Sequence, residues 1–251
     1  MKVTLIVPVL NEISGMKQIM PKVKRECLYE IIIIDGGSTD GTVEYARECG
    51  YRVYKQKRPG IRLGYIENYT NIRGDIIITF SPDGNSVPEL IPELIDKMKE
   101  GYDMVIASRY LKGAKSYDDT PLTRAGNFVF TKLINILFGA HYTDAMVMYR
   151  AYKKNVPHDL GLTKIRSERY ERVVGRHISW EPQLSARCAA HKLKVTEIPC
   201  DEPARIIDAA GKSGLFLPQS RIRHFRAGIA CLYALLEDFI KIMMKRAAVR
   251  F

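Results

Sequence analysis

Five short runs in the first 110 residues constrain this chain more than anything else in it. Val3–Val9, Glu30–Ile34, Tyr51–Tyr54, Asp75–Thr79 and Asp103–Ala107 are β-branched and almost continuously apolar. Runs of this kind are strands covered on both faces, as in a parallel sheet. Helical stretches separate them. Gly41–Cys49 follows a Ser38-Thr39-Asp40 cap region, and Pro88–Lys99 carries Leu90, Ile91, Leu94, Ile95 and Met98 on one face. Alternating β and α predicts an α/β sheet with right-handed crossovers and ligands at the carboxyl ends of the strands.

The second half is less regular. The spacing predicts helices over Arg124–Phe138 and Pro182–His191, strands over Ala145–Tyr149 and Lys194–Ile198, and a loop over Pro203–Pro218. A long basic amphipathic helix is expected over Arg221–Arg246. With no clear linker, the division is one domain over 1–220 and a C-terminal helical extension over 221–251.

Charge narrows the partners. Lysine and arginine number 39 against 28 aspartates and glutamates, a net +11 that predicts an anionic partner. The five cysteines are odd in number and without a CxxC pair, which argues against a disulfide framework and for a reducing cytoplasm. The five histidines show no HExxH or HxxxH spacing, so a histidine metal site is not expected. The N-terminal apolar run is too short for a signal peptide, and no stretch reaches the roughly 18 apolar residues of a membrane span.

Three predicted strand ends share a chemistry. The first runs into Pro8-Val9-Leu10-Asn11-Glu12, the second into Asp35-Gly36-Gly37-Ser38-Thr39-Asp40-Gly41-Thr42, the fourth into Ser81-Pro82-Asp83-Gly84-Asn85. Any one of these is an ordinary turn. Three in order, at one end of one sheet, point to a site.

In that order, VPVLNE, IIIIDGGSTDGT, GDIIITFSPDGNSVPE and VIASRY resemble the family 2 glycosyltransferases of the GT-A fold, most of all the polyprenyl-phosphate (dolichol-phosphate) sugar synthases. The strong resemblance covers about residues 1–115, and a weaker one continues through Thr143–Ala151 and Glu197–Lys212. It implies a Rossmann-like, mostly parallel sheet with helices on both faces. It also implies inverting transfer of a sugar from a nucleoside diphosphate to an acceptor, with Mg2+ or Mn2+.

The resemblance assigns roles by position. Glu12 and Asp35 would contact base and ribose, with Pro8, Asn11 and Gly37 shaping that pocket. Arg58 and Arg62 lie where the family has a glycine-rich stretch. Asp83 matches the last acid of the DxD metal motif, and Asn85 a downstream amide that assists the metal. Arg109 sits in a segment near sugar and acceptor, and Arg205 and Lys212 in a loop closing on phosphates. Three departures stand out: Ser81-Pro82-Asp83 keeps one carboxylate of DxD, Gly36 replaces the second acid of DDGSTDGT, and the glycine-rich stretch reads GIRLG.

The acceptor stays open between a lipid phosphate and a lipid-linked or soluble glycan. A sugar hydroxyl needs a general base, for which Asp144 and Glu181 are the candidates. A lipid phosphate, with a second ionisation near pH 6 by analogy with phosphoresidues, needs none, and Arg109, Arg124 and Arg205 would bind it. The C-terminal helix reads either as packed on the core or a partner copy, or as resting on an anionic membrane at its cytoplasmic face. A nucleic-acid-binding protein is the alternative outside this class. It lacks a helix-turn-helix, RNA-binding or zinc signature, and acids occupy the strand ends, so nucleic acid is not expected as a partner. A nucleotidyltransferase would carry a glycine-rich loop and lysine after the first strand, and VPVLNE has neither.

Overall fold

The computed structural model describes residues 1–164, 179–206 and 221–248. Seven strands form one sheet in the order β3-β2-β1-β4-β6-β5-β7. They are β1 Val3–Val9, β2 Glu30–Asp35, β3 Arg52–Lys55, β4 Ile76–Thr79, β5 Met104–Ser108, β6 Arg150–Lys153 and β7 Val195–Pro199. The pairs β1–β2, β1–β4, β2–β3 and β5–β7 are parallel, whereas β6 runs antiparallel between β4 and β5.

The helices are α1 Ile13–Ile19, α2 Thr42–Glu48, α3 Ile61–Asn68, α4 Ile91–Lys99, α5 Pro121–Phe138, α6 Asn155–Asp159, α7 Glu181–Ala190 and α8 Arg221–Ala248. Alternation along the buried strands divides the core between two faces. Leu5, Val7 and Ile33 pack with Met16 of α1, Ala46 of α2 and Leu94 of α4, while Ile6, Ile32 and Ile77 face Tyr65 of α3, Ile134 of α5 and Leu184 of α7. This is the expected layered α/β fold, covered on both faces.

Some details depart from the sequence reading. The predicted strand Ala145–Tyr149 is irregular chain, and the strand is Arg150–Lys153. Asp144 takes up N–H groups there: its Oδ1 accepts from Met146 and Val147, both at 3.2 Å. Helices α1 and α3 were not expected. Each is short, and the pattern of α3 is masked because arginine, tyrosine and glycine share its buried side. Of the two readings of the C-terminal helix, packing on the core describes the inner face of α8. Ala230, Cys231, Ala234 and Leu235 are buried against the domain, and Asp238 pairs with Arg187 at 2.8 Å.

Candidate active site

The carboxyl ends of β1, β2 and β4 meet at one rim of the sheet. There the DGGSTDGT segment ties the first two tips together. Asp35, buried at the end of β2, accepts from Gly37 N at 3.0 Å and Ser38 N at 2.9 Å. Asn11 donates its backbone N–H to Ser38 Oγ at 2.9 Å and accepts from Thr39 N at 2.8 Å. Glu12 N donates to Thr42 Oγ1 at 2.9 Å, and Ile13 N to Asp40 Oδ2 at 3.1 Å. Burial alone would raise the Asp40 carboxyl, yet the hydrogen bonds from Thr42 and Ile13 hold it below its ordinary value. The motif thus acts first as a loop fastener. Each carboxylate oxygen of Asp35 accepts one backbone N–H and keeps a lone pair for a ligand hydroxyl.

The β4 tip is fixed from below by α1. A Cβ on Gly15 would stand 2.2 Å from the Pro82 carbonyl oxygen, so only glycine lets α1 lie against the Ser81-Pro82-Asp83 turn. Within that turn Asn85 N donates to Asp83 Oδ1 at 3.1 Å, and Asp83 is buried. Asn85 Oδ1 is shielded and without a hydrogen-bond partner. A buried carboxylate beside an unpaired amide oxygen suits a hard, oxygen-seeking cation such as Mg2+ or Mn2+. Among the described residues no group of three or more acidic, histidine or cysteine side chains is placed to hold a metal.

The other sequence-predicted residues divide. Pro8 lies within β1, opposite Ile34 of β2. Arg62 is buried on the first turn of α3, beside the rim. Arg58 pairs with Glu67 of α3 at 2.8 Å. Arg205 reaches the Asp83 turn, with Nε 3.9 Å from Asp83 Oδ2. Lys212 lies outside the described residues.

Asp144 and Arg109 are bound to each other. Asp144 has no solvent exposure and grips Arg109 with both oxygens, Oδ2 to Nε at 2.6 Å and Oδ1 to Nη2 at 3.1 Å. Burial would push its carboxyl up, but the guanidinium holds it below the ordinary value, so it is a poor proton acceptor. Arg109 in turn meets Glu202 at 3.1 Å and Asp119 at 3.9 Å. This network joins the ends of β5 and β7 and the loop before β6. Asp144 is thus the buried ion-pair partner of Arg109.

Sequence reasoning missed Asp118, Asp119 and Glu202. Only an acidic pair before a helix (Tyr117-Asp118-Asp119-Thr120) signalled them, and Thr120 does cap α5, accepting from Thr123 N at 3.2 Å. The other candidate base, Glu181, is buried at the start of α7. Burial pushes it up to about 7 against the pull of the Arg150 charge. Tyr65 and Tyr152, both packed against Trp180, lie beside it in the core.

A mostly parallel sheet with its acids gathered where β1, β2 and β4 end, and with one reversed strand beyond them, is the GT-A architecture. Residues 4–161, more than half of the chain, match the family described as Glycosyl transferase family 2, and the chain belongs to that family. It is 33% identical over 135 residues to a dolichyl-phosphate hexose transferase of Haloferax volcanii, covering 54% of this chain and 58% of that one. It is 26% identical over 166 residues to an undecaprenyl-phosphate 4-deoxy-4-formamido-L-arabinose transferase of Aeromonas hydrophila, covering 61% and 49%. The chain thus spans about half the length of these relatives. Among solved structures, glucosyl-3-phosphoglycerate synthase from Mycobacterium tuberculosis with Mn2+, uridine diphosphate and phosphoglyceric acid shares the fold. Its TM-score is 0.64 at 15% identity, over 95% of this chain and 78% of that one.

Proposed function

We propose that this chain transfers a sugar, with inversion, from a nucleoside-diphosphate sugar to a polyprenyl phosphate. The observation that carries the choice of acceptor is the state of Asp144. A hydroxyl acceptor needs a base, and of the two candidates Asp144 is locked into Arg109 in its charged form while Glu181 is sealed in the core at 1% exposure. A phosphate acceptor is ionised at neutral pH and attacks without one. Relatives named for dolichyl and undecaprenyl phosphates support the same reading.

Each part of the rim then has work to do. Pro8, Asn11, Glu12, Asp35 and Gly37 form the edge that takes base and ribose, with Arg62 beside it. Asp83 and Asn85 are the residues that would hold a divalent cation. When bound, Mg2+ or Mn2+ there would offset the charge of a departing diphosphate. Arg205, with Lys212 beyond the described residues, balances the same phosphates. Arg124, exposed on the first turn of α5, stands between a cleft lined by Arg109, Tyr110 and Tyr117 and an apolar one lined by Phe128 and Val129. It is placed to meet an acceptor phosphate whose lipid lies along the apolar side.

A membrane surface fits that placement. Ile229, Leu236, Ile240, Met243 and Met244 of α8 are exposed, as are Leu122, Phe128, Val129 and Ile136 of α5, which packs against α8. No described helix is long and apolar enough to cross a membrane, so these faces would rest on a leaflet. The test uses GDP-, UDP-, CDP- and dTDP-sugars labelled in the sugar, with polyprenyl phosphate in vesicles and Mn2+. Label in an acid-labile lipid fraction is the expected result. Label recovered only on an added glycan refutes the acceptor.

A further inference from the structure

The turn after β4 carries one acid where the family motif carries two, because Ser81 stands in the first place. A second loop brings another acid to the same spot. Tyr117 N donates to the Glu202 carbonyl at 2.9 Å, Glu202 N to the Lys115 carbonyl at 2.9 Å, and Lys115 N to Asp201 Oδ1 at 2.8 Å. This short zipper carries Asp118 alongside Arg205. From the other side Ile206 N donates to the Asp83 carbonyl at 2.8 Å. Gly84 makes that approach feasible: its φ is +97°, and a Cβ there would press on Ile206 N at 3.3 Å and the Ala204 carbonyl at 3.4 Å.

The result is a guanidinium held between two carboxylates. Arg205 Nε lies 2.9 Å from Asp118 Oδ2 and 3.9 Å from Asp83 Oδ2. Asn85 Nδ2 donates to the same Asp118 oxygen at 3.1 Å, while its Oδ1 is shielded and unpaired. Two carboxylates this close repel unless a cation sits with them. Here the protein supplies that cation itself.

We propose that Asp118 provides the carboxylate that Ser81 lacks. Asp83, Asp118 and the Asn85 amide oxygen form the divalent-cation site, and Arg205 is a resident charge that the metal displaces. This rests on the metal-assisted reading above and deepens it. Three oxygen donors, two of them charged, leave positions for water and diphosphate, as Mg2+ and Mn2+ require. Displacement also gives Arg205 its timing, since the guanidinium is released toward the phosphates only when the cation has arrived.

The test is Mn2+ binding by the full chain without nucleotide, read as loss of the free-ion electron paramagnetic resonance signal. Wild type, D83N, D118N and R205Q are compared, with metal-free melting temperatures as the folding control. D83N is expected to abolish binding, D118N to weaken it about tenfold or more, and R205Q to tighten it severalfold by removing the competing charge. Unchanged affinity in D118N, with loss in D83N, overturns the role of Asp118 and spares the metal-assisted reading. Unchanged affinity in both, or no binding by wild type in the millimolar range, overturns the two together. Weaker binding in R205Q overturns the displacement.

Discussion

At the scale of single residues, the acids separate by what they touch. Asp144 and Arg109 form a buried, bidentate pair, and removing one partner strands the other's charge. Asp144→Asn should therefore cost about 3 kcal/mol of stability in urea unfolding. A base would instead lose turnover with stability intact, and that outcome would reverse the assignment. Glu181 predicts a pH effect of defined sign. Its carboxyl is raised from 4.5 to about 7 by burial, so between those values the native state holds a proton that the unfolded chain has released. Stability contributed by this group is full below pH 4.5 and falls as pH rises through 7. Glu181→Gln should flatten that slope, worth about 3 kcal/mol at most. Melting temperatures from pH 4.5 to 8 would show it.

At the scale of elements, loops are held by residues whose role is not visible in composition. The strand tips were legible because Asp35, Asp83 and their glycines follow apolar runs directly. The partnership of Asp118 with Arg205 was not, because a zipper between residues 115–117 and 201–202 creates it and neither segment has a periodic pattern. Likewise β6 was displaced in the reading. Its true run, Arg150–Lys153, is short and charged at both ends, and Arg150 is buried only because Ser185 Oγ and backbone carbonyls receive its guanidinium. Gly15→Ala tests the packing of α1 on the β4 turn. The clash is with backbone, so the Asp83 turn should shift and nucleoside-diphosphate affinity should fall, by calorimetry, by severalfold or more.

At the scale of the whole molecule, α8 has two faces with different tasks. The inner face is core: Leu235→Ala should cost about 2–5 kcal/mol in chemical unfolding. The outer face is an apolar stripe on a chain of charge +11. Replacing Ile240, Met243 and Met244 together by glutamine should leave the melting temperature within a few degrees and release the protein from anionic vesicles in a flotation assay. If the triple variant floats as wild type does, the stripe serves something other than a leaflet. The first five strands were readable from the first 110 residues because strands buried on both faces declare themselves by their own apolar runs.

The reversed strand has a consequence for how this chain is made. Strand β4 pairs with β1 on one side, but its other edge waits for β6, where Ile77 meets Tyr152. A nascent chain emerging from the ribosome therefore assembles the donor half while β4 still offers an open, apolar hydrogen-bonding edge. That interval is where chaperone capture or self-association would concentrate, and slowing translation between residues 80 and 150 would lengthen it.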